Sequence, residues 1–508
     1  MLRGNEIATI DGATRRTWNE TVERISRLAS GLDGLGVQAG DRVAILALNS
    51  HRYLEAIFAI SRCGAVLVPL NTRLAPSEIK FMLKDCGAKA VFADDGFIAL
   101  TQSLQQELGS LDFAIHMADS DTRSDTLAYE TLVEGSAGMQ ALSLDGNAML
   151  GLFYTGGTTG RSKGVMLSSD NFIINALQTT AAYNMEEDKV YLHAAPMFHI
   201  ADFIGMLMHL ISGGPHVFVP GFEPLSVMKI IETEKINTSL LIPAMIGMLV
   251  NHPEIENHDL SSLDFISYGG SPISQGVLEQ TMKVLPGISL LQAYGQTESS
   301  PILTILGPKW HHQQQGFTSK VRSAGRPVAG VELSIQDENG VHLETGETGE
   351  ICARGPNVML GYWQLPELSA ETLRDGWLHT GDGGYIDEDG FLFVVDRIKD
   401  MIVSGGENVY SSEVENAISQ FDGVIACAVI GIPHEQWGEQ VHAEICMQEG
   451  LEVSQQDIVD HCRELIAGFK CPKSITFRSE PLPLSGAGKV LKRELREPYW
   501  QGKGRSVS

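Results

Sequence analysis

The chain has 508 residues, of which 43% are hydrophobic and 20% charged, and this composition is typical of a globular protein with two or more domains. Its formal charge of −26 at pH 7 disfavours non-specific binding to nucleic acids or anionic membranes, because both require a positive surface. The sequence has no run of about 18 apolar residues, the length that spans a membrane, and no apolar signal region at its N-terminus. We therefore expect a cytoplasmic protein without a transmembrane segment.

The seven cysteines support this compartment. No two of them have C-x-x-C spacing, and their number is odd, so the pattern favours reduced core thiols over disulfides or zinc ligands. They are Cys63, Cys86, Cys352, Cys427, Cys446, Cys462 and Cys471.

Taken in chain order, the first 300 residues alternate between short apolar strands and amphipathic helices. Residues 17–36 are predicted to form a helix, since Ile25, Leu28 and Leu32 recur at helical spacing. Further helices are predicted at 54–63, 76–86 and 224–234, and strands at 42–47, 65–69, 88–92, 216–219, 238–242, 263–267 and 289–293. The alternation predicts an α/β fold with open, mainly parallel sheets flanked by helices.

The pattern changes near residue 320. Turn sequences at 325–327, 346–350 and 387–390 predict a β-rich subdomain over about 320–396. A smaller α+β unit follows, with helices at 412–419 and 455–466 and strands at 425–430 and 441–446. We therefore predict a large N-terminal domain over 1–398 and a small, mobile C-terminal domain over 399–508, with the boundary at about Lys399.

A glycine-rich loop at Tyr154–Gly164 carries the clearest chemical signal. It contains four glycines, three threonines and Lys163, and it lies between two apolar segments. Glycines allow backbone N–H groups to approach an anion, while hydroxyls and a lysine add donors, so the loop is predicted to bind phosphate. It lacks the Walker pattern of P-loop ATPases.

Two further glycine turns, Tyr268–Pro272 and Tyr294–Glu298, directly follow predicted strands. Ligands of open α/β sheets bind outside the carboxyl ends of the strands, so these turns and the phosphate loop are expected to meet at one crevice.

Five motifs then occur in a fixed order along the chain. They are Tyr154–Gly164, Tyr294–Glu298, Thr380–Asp382, Asp396–Asp400 and Gly486–Lys489. The ordered set resembles the adenylate-forming superfamily, which comprises acyl-CoA synthetases, firefly-type luciferases and the adenylation domains of peptide synthetases. The resemblance spans nearly the whole chain and implies ATP, Mg²⁺ and a carboxylic acid as ligands.

By this resemblance, the nucleotide site can be assigned residue by residue. Tyr294 would stack on adenine, Thr297 would contact the α-phosphate, and Glu298 would bind Mg²⁺. Asp382 would accept from the ribose hydroxyls, with Arg397 nearby. The phosphate loop and the turns around the adenine would contribute Thr155, Gly156, Gly157, Thr158, Thr159, Gly160, Lys163, Gly269, Gly270, Ser271 and Gly295. Gly156 and Ser162 replace a frequent serine and proline, so we expect an altered ATP affinity with activity retained.

The resemblance also assigns the two half-reactions. Lys489 would neutralise carboxylate and α-phosphate oxygens during adenylation. After rotation of the small domain about Lys399, the loop with Gly405, Gly406 and Glu407 would border a pantetheine tunnel. This loop looks most like that of acyl-CoA synthetases, which implies CoA as the acceptor.

The acid is less well defined by the sequence. His199, in the segment that lines the acid pocket of the family, is similar in position to an aspartate of amino-acid-activating relatives, so an α-amino acid is disfavoured. Asp202, nearby in the sequence, could supply the missing anion and leaves an α-amino acid open. Apolar residues between Phe203 and Met208 fit either the wall of a fatty or aromatic acid site or a core helix.

The leading hypothesis is an AMP-forming acyl-CoA synthetase. Transfer to a carrier protein and a luciferase-like oxygenase remain alternatives within the superfamily. A non-catalytic nucleotide sensor is disfavoured because Lys489, Glu298 and Asp382 are all present. The oligomeric state stays open, a homodimer included.

Overall fold

The computed structural model describes residues 3–118, 127–155, 162–183, 186–271, 273–311, 319–398, 400–404, 407–448, 450–451, 453–484 and 490–501. Within these ranges the strands are β1 Ile7–Asp11, β2 Thr14–Thr17, β3 Arg42–Leu46, β4 Val66–Pro69, β5 Ala90–Ala93, β6 Phe113–His116, β7 Leu127–Ala128, β8 Met149–Thr155, β9 Lys163–Ser168, β10 Tyr191–His193, β11 His216–Phe218, β12 Thr238–Leu240, β13 Phe265–Gly269, β14 Ser289–Gly295, β15 Ile302–Leu306, β16 Arg326–Pro327, β17 Glu332–Gln336, β18 Gly349–Arg354, β19 Gly361–Tyr362, β20 Leu378–Ile386, β21 Leu392–Arg397, β22 Ile402–Ser404, β23 Glu407–Val409, β24 Val424–His434, β25 Gly438–Met447 and β26 Ser474–Arg478.

The α-helices of the described residues are α1 Trp18–Gly34, α2 His51–Arg62, α3 Pro76–Cys86, α4 Ile98–Glu107, α5 Tyr129–Gly135, α6 Ser169–Tyr183, α7 Ile200–Ser212, α8 Pro224–Glu234, α9 Pro243–Val250, α10 Gln275–Val284, α11 Pro366–Thr372, α12 Ser411–Ile418, α13 Gln455–Leu465 and α14 Lys492–Trp500. None of them is both long and apolar enough to cross a membrane.

Two large sheets, mainly parallel, form the N-terminal domain. One has the strand order β16-β15-β14-β13-β12-β10-β11-β1-β2 and the other β19-β9-β8-β4-β3-β5-β6-β7. The central strands of both pair in parallel, while β15, β16, β9 and β19 are antiparallel at one end. The predicted α/β class with open parallel sheets is therefore confirmed.

Local signals explain why several helix limits agree with the sequence pattern. Helix α3 begins with Pro76, whose fixed φ suits a first helical position, and ends before Gly87, which has a φ of +59°. Helix α2 begins one turn before the predicted start, because the side chain of Ser50 accepts a hydrogen bond from the Tyr53 N–H and caps the helix there.

The remaining strands form two smaller sheets. An antiparallel sheet of order β17-β18-β20-β21 lies in the predicted β-rich segment, and a five-stranded sheet of β22 to β26 belongs to the small C-terminal domain. The C-terminal sheet has its own core, formed with α12 and α13 by residues such as Ile402, Val414 and Ile458.

One predicted turn is wrong. Residues 325–327 do not form a hairpin turn; Arg326–Pro327 is the edge strand β16, paired with Ile305 and Thr304 of β15. A side chain at position 325 would lie 2.0 Å from the Ile305 carbonyl oxygen, so Gly325 permits close strand contact there. The sequence could not show this, since glycine and proline close together are typical of turns and also occur at edge strands.

Candidate active site

The phosphate loop connects two strands of one hairpin. Strands β8 and β9 are antiparallel, and Thr155 pairs with Lys163, so the loop leaves and re-enters the sheet at adjacent positions. Gly156, Gly157, Thr158, Thr159 and Gly160 lie outside the described residues.

The base of this hairpin is held by side chains from other elements. The Tyr154 hydroxyl donates to Asp85 Oδ2 at 2.6 Å, and burial raises the pKa of Tyr154, so the phenol stays protonated. The Trp363 N–H donates to the Gly164 carbonyl oxygen at 2.8 Å, and its indole donates to the Asp85 carbonyl oxygen. Asp85 therefore anchors both sides of the loop entrance.

Lys163 and Glu298 approach the same tyrosine. Lys163 Nζ donates to the Tyr362 hydroxyl at 3.1 Å, and that hydroxyl donates to Glu298 Oε1 at 2.7 Å. Glu298 lies in a short 3₁₀ helix, Thr297–Ser299, directly after β14, and is 8% exposed. Thr297 precedes it at a half-buried position. The structure thus brings Lys163, Thr297 and Glu298 into one region.

Two glycines are required where β13 and β14 end. A side chain on Gly269 would lie 2.4 Å from the Ala293 carbonyl oxygen, and one on Gly295 would lie 1.8 Å from that of Pro301. Because β13 and β14 are parallel neighbours, Gly269, Gly270 and Ser271 come next to Tyr294 and Gly295 at the same sheet edge. The predicted convergence of the two turns is confirmed.

Tyr294, Asp382 and Arg397 form a second cluster. The Tyr294 hydroxyl donates to Asp382 Oδ2 at 2.9 Å, and Arg397 Nε lies 3.5 Å from Asp382 Oδ1. Asp382 and Arg397 are cross-strand partners in β20 and β21. Burial raises the pKa of Tyr294 well above its usual range, with the Asp382 carboxylate adding to the shift. Arg397 is 49% exposed, so its guanidinium can reach a ligand.

Glu350 supports this cluster and was missed by sequence reasoning. Its Oε1 accepts from the Gly381 N–H at 3.0 Å, and its Oε2 lies 2.8 Å from His379 Nδ1. The turn that carries Asp382 is therefore held by a carboxylate from β18. The predicted turn at 346–350 contains this residue, but only the pairing of β18 with β20 shows which residues it contacts.

Cys352 lies beside this pair, 3.3 Å from His379 Nδ1. Glu350, Cys352 and His379 together offer ligand types that metals accept, but the Arg374 guanidinium lies 3.0 Å and 3.1 Å from the two ring nitrogens of His379. Burial raises the pKa of the Cys352 thiol to about 12, with Glu350 adding to the shift. The Arg374 guanidinium therefore occupies the space in which a metal ion would bind, and the Cys352 thiol is protonated. All seven cysteines are unpaired thiols, as predicted.

His199 and Asp202 differ in their surroundings. His199 caps α7, and its Nδ1 accepts from the Ala201 N–H at 3.3 Å. Asp202 is fully buried, with its oxygens 2.9 Å from the Tyr191 hydroxyl and 2.7 Å from His193 Nδ1. Asp202 is therefore part of the protein interior, and it does not present a free anion beside His199.

Helix α7 has the role of a core helix. Phe203 packs against Phe172 and Phe153, with ring centroids 4.8 Å and 5.6 Å apart, and Ile204, Met206 and Met208 are also buried. Of the two roles that the sequence left open for this apolar run, the structure supports the core helix.

The C-terminal candidates are only partly described. Ser404 and Glu407 pair across the β22–β23 hairpin, and Glu407 is exposed. Lys399, Gly405, Gly406 and Lys489 lie outside the described residues. Leu484 and Val490, the described residues on either side of the segment with Lys489, form an antiparallel bridge.

Comparison with known proteins identifies the family. The AMP-binding enzyme family matches residues 2–363, and the AMP-binding enzyme C-terminal domain matches residues 413–489. The chain belongs to the AMP-binding enzymes. The predicted adenylate-forming superfamily is thereby confirmed, and the relatives, which include a feruloyl-CoA synthase and an indoleacetate–CoA ligase, confirm the enzyme class, an AMP-forming acid–thiol ligase that uses ATP.

Two curated relatives and one solved structure illustrate the range of the family. The chain is 37% identical to a feruloyl-CoA synthase of an Amycolatopsis species, over 96% of this chain and 95% of that protein. It is 34% identical to the fatty acid–[acyl-carrier-protein] ligase ScoC of Streptomyces coeruleorubidus, over 97% and 93%. The ATP-bound structure of MatB from Rhodopseudomonas palustris matches with a TM-score of 0.88 at 29% identity, covering 98% and 96%.

Proposed function

We propose that this enzyme is an acyl-CoA synthetase for an apolar fatty or aromatic acid. A carboxylate oxygen attacks the α-phosphorus of ATP, the bond to pyrophosphate breaks, and acyl-AMP forms. The sulfur of CoA then attacks the acyl carbonyl, AMP leaves, and the thiol proton is released. The observation that carries this proposal is that the segment from Tyr294 to Glu298 joins two clusters, because Tyr294 is bonded to Asp382 and Glu298 is linked through Tyr362 to Lys163.

The residues of these two clusters fit a nucleoside triphosphate. Lys163 supplies a cation for the β- and γ-phosphates, and Asp382 supplies a carboxylate for the ribose hydroxyls. Arg397, paired with Asp382 across β20 and β21, adds a positive charge between ribose and phosphate. Because both reactants are anions, neutralising charge and aligning the two reacting atoms are the main tasks of the site.

Glu298 fits a magnesium ion. It is a hard oxygen ligand, it is almost buried, and one of its oxygens is held by the Tyr362 hydroxyl. When bound, Mg²⁺ neutralises phosphate charge and stabilises the leaving pyrophosphate. Glu298 would position the metal ion beside the phosphates, and Thr297 would donate a hydrogen bond to the α-phosphate.

The second half-reaction rests on the small domain. We propose that its rotation about Lys399 removes Lys489 from the site and brings the β22–β23 turn with Gly405, Gly406 and Glu407 to it. The pairing of Ser404 with Glu407 places the two ends of this glycine segment side by side, and glycines have no side chain to obstruct a pantetheine thiol.

The apolar acid is inferred from two side chains. His199 offers no fixed anion for a substrate ammonium, and Asp202 is enclosed by Tyr191 and His193. An α-amino acid would therefore lack its counter-ion. The names of the feruloyl-CoA synthase and of ScoC agree with an aromatic or a fatty acid.

ScoC also favours a second candidate function, transfer to the thiol of a carrier protein. The test is pyrophosphate release with a panel of fatty, aromatic and α-amino acids, with CoA, with a phosphopantetheinyl carrier protein, or with neither. We expect acid-dependent AMP and an acyl-CoA mass with CoA. Adenylate that is transferred only to the carrier would contradict the CoA assignment, and turnover confined to α-amino acids would contradict the acid class.

A further inference from the structure

Tyr362 connects the phosphate loop to the carboxylate of the metal site. It ends β19, which pairs with β9 so that Tyr362 lies opposite Val165, two residues after Lys163. Its ring is 4% exposed, and Lys163 Nζ lies 4.2 Å from the ring centroid. Its hydroxyl is 3.1 Å from Lys163 Nζ and 2.7 Å from Glu298 Oε1.

The directions of these two hydrogen bonds are fixed by chemistry. A lysine ammonium only donates and a carboxylate only accepts, so the hydroxyl accepts from Lys163 and donates to Glu298. Burial raises the pKa of the Tyr362 hydroxyl, with Glu298 adding to the shift, so the proton stays on the phenol oxygen. A phenylalanine would keep the ring and lose both hydrogen bonds.

The backbone around Tyr362 supports the same connection. The Met359 N–H donates to the Glu298 carbonyl oxygen at 2.9 Å, the Leu360 N–H to the Met166 carbonyl oxygen at 2.9 Å, and the Trp363 N–H to that of Gly164 at 2.8 Å. Residues 359–363 therefore join the 3₁₀ helix of Glu298 to the strand that leaves the phosphate loop.

We propose that Tyr362 is a positioning residue that couples phosphate binding at Lys163 to metal binding at Glu298. The inference rests on the proposed roles of these two residues. Glu298 Oε1 accepts from Tyr362, and Oε2 accepts no hydrogen bond from the described residues, so the hydroxyl would hold the carboxylate in an orientation that leaves Oε2 available to a metal ion. Outer hydrogen bonds of this kind typically contribute about 10–100-fold in metal affinity or activity.

The test compares ATP binding at equilibrium with and without Mg²⁺ for the wild type and Tyr362→Phe. The readout is the factor by which Mg²⁺ tightens ATP binding, which needs no turnover. We expect this factor to fall by about 10-fold or more in Tyr362→Phe, with the affinity for metal-free ATP changing less. An unchanged factor would overturn the proposal.

Tyr129→Phe is the matched control. The Tyr129 hydroxyl donates to Glu55 Oε2, also at 2.7 Å, and this buried pair lies on α5 and α2, away from the nucleotide site. Tyr129→Phe removes the same kind of hydrogen bond as Tyr362→Phe. A change in the Mg²⁺ factor that is caused only by lower protein stability would therefore appear in both variants. An equal fall of the Mg²⁺ factor in Tyr129→Phe would contradict a specific role for Tyr362.

Lys163→Met tests the other half of the connection and leaves the Tyr362 ring in place. We expect it to lower the Mg²⁺ factor by itself, and Tyr362→Phe to add little in that background. Fully additive effects of the two changes would overturn the coupling. Wild-type protein that binds ATP but forms no thioester would instead reject the proposed function and leave this inference testable.

Discussion

The hydroxyl of Tyr294 donates a 2.9 Å hydrogen bond to Asp382 Oδ2, although 87 residues separate them in the chain. Tyr294 lies in β14 of a large sheet, and Asp382 lies in β20 of the smaller antiparallel sheet. This hydrogen bond therefore connects the adenine and ribose ends of the proposed nucleotide site directly.

This pair can be tested with Tyr294→Phe. The aromatic face remains for adenine, but Asp382 loses one donor and is oriented less well. Hydrogen bonds to charged groups contribute about 1.5–3 kcal/mol, so we expect the KM for ATP to rise about 10-fold or more. Steady-state kinetics at saturating acid measure this, with Tyr129→Phe as control. An unchanged KM for ATP would show that the bond does not orient Asp382.

Lys489→Ala tests the proposed adenylation lysine. We expect acyl-AMP formation to fall by at least 100-fold, since a charge at the reacting oxygens is lost in a site that depends on charge neutralisation (a loss of about 2.7–4 kcal/mol is typical for such a donor). Thioester formation from supplied acyl-AMP should be retained.

The neighbouring Lys492 provides a matched control for that experiment. Its Nζ lies 2.8 Å from Glu415 Oε1, so it has a structural partner. Lys492→Met is expected to lower stability and to affect both half-reactions alike. Equal losses of both half-reactions in Lys489→Ala would reject its assigned role.

Gly406→Leu tests the proposed thiol tunnel. The added side chain is expected to block the approach of the CoA sulfur, so acyl-AMP accumulates and thioester formation falls by about 10-fold or more. Mass spectrometry of both products after a single turnover measures the ratio. Gly390→Leu, at the turn between β20 and β21, is the control, because nothing lies within 4 Å of a β-carbon added there. A normal thioester yield from Gly406→Leu would argue against the tunnel.

Stability should depend on pH through a buried histidine of α7. Burial lowers the pKa of His209 to about 3, while its Nδ1 lies 2.8 Å from the Gly205 carbonyl oxygen. The unfolded chain binds a proton at about pH 6.5 and the folded protein does not. His209 therefore stabilises the folded state above about pH 6.5, and this contribution is lost as the pH falls toward 3.

For one such group the loss between pH 7 and pH 5 is about 2 kcal/mol. We expect His209→Phe, which keeps a ring against Tyr191, to have a flatter acid side of the stability profile than the wild type. Denaturant midpoints at pH 7, 6 and 5 provide the comparison, with His252→Gln at a partly exposed position as control. Parallel profiles for the wild type and His209→Phe would contradict the predicted titration.

Local signals in the sequence were enough to predict the secondary-structure elements and the chemistry. Proline and glycine marked the limits of α3, and the alternation of strands and helices indicated parallel sheets, because these signals are local. The Tyr154–Gly164 loop and the Tyr294–Glu298 motif indicated a nucleotide, since chemistry depends on residue types that can be read one by one.

Which distant side chains contact each other became visible only in the folded protein. Strand pairing places Tyr362 between Lys163 and Glu298, and it places Glu350 within hydrogen-bonding distance of Gly381. The sequence left Asp202 as a possible counter-ion for a substrate, whereas in the folded protein Tyr191 and His193 enclose it. In the same way, only the folded protein shows that Gly325 lies against the Ile305 backbone beside an edge strand, where a side chain would not fit. A sequence lists donors and acceptors, but their partners are set by packing between segments that are far apart in the chain.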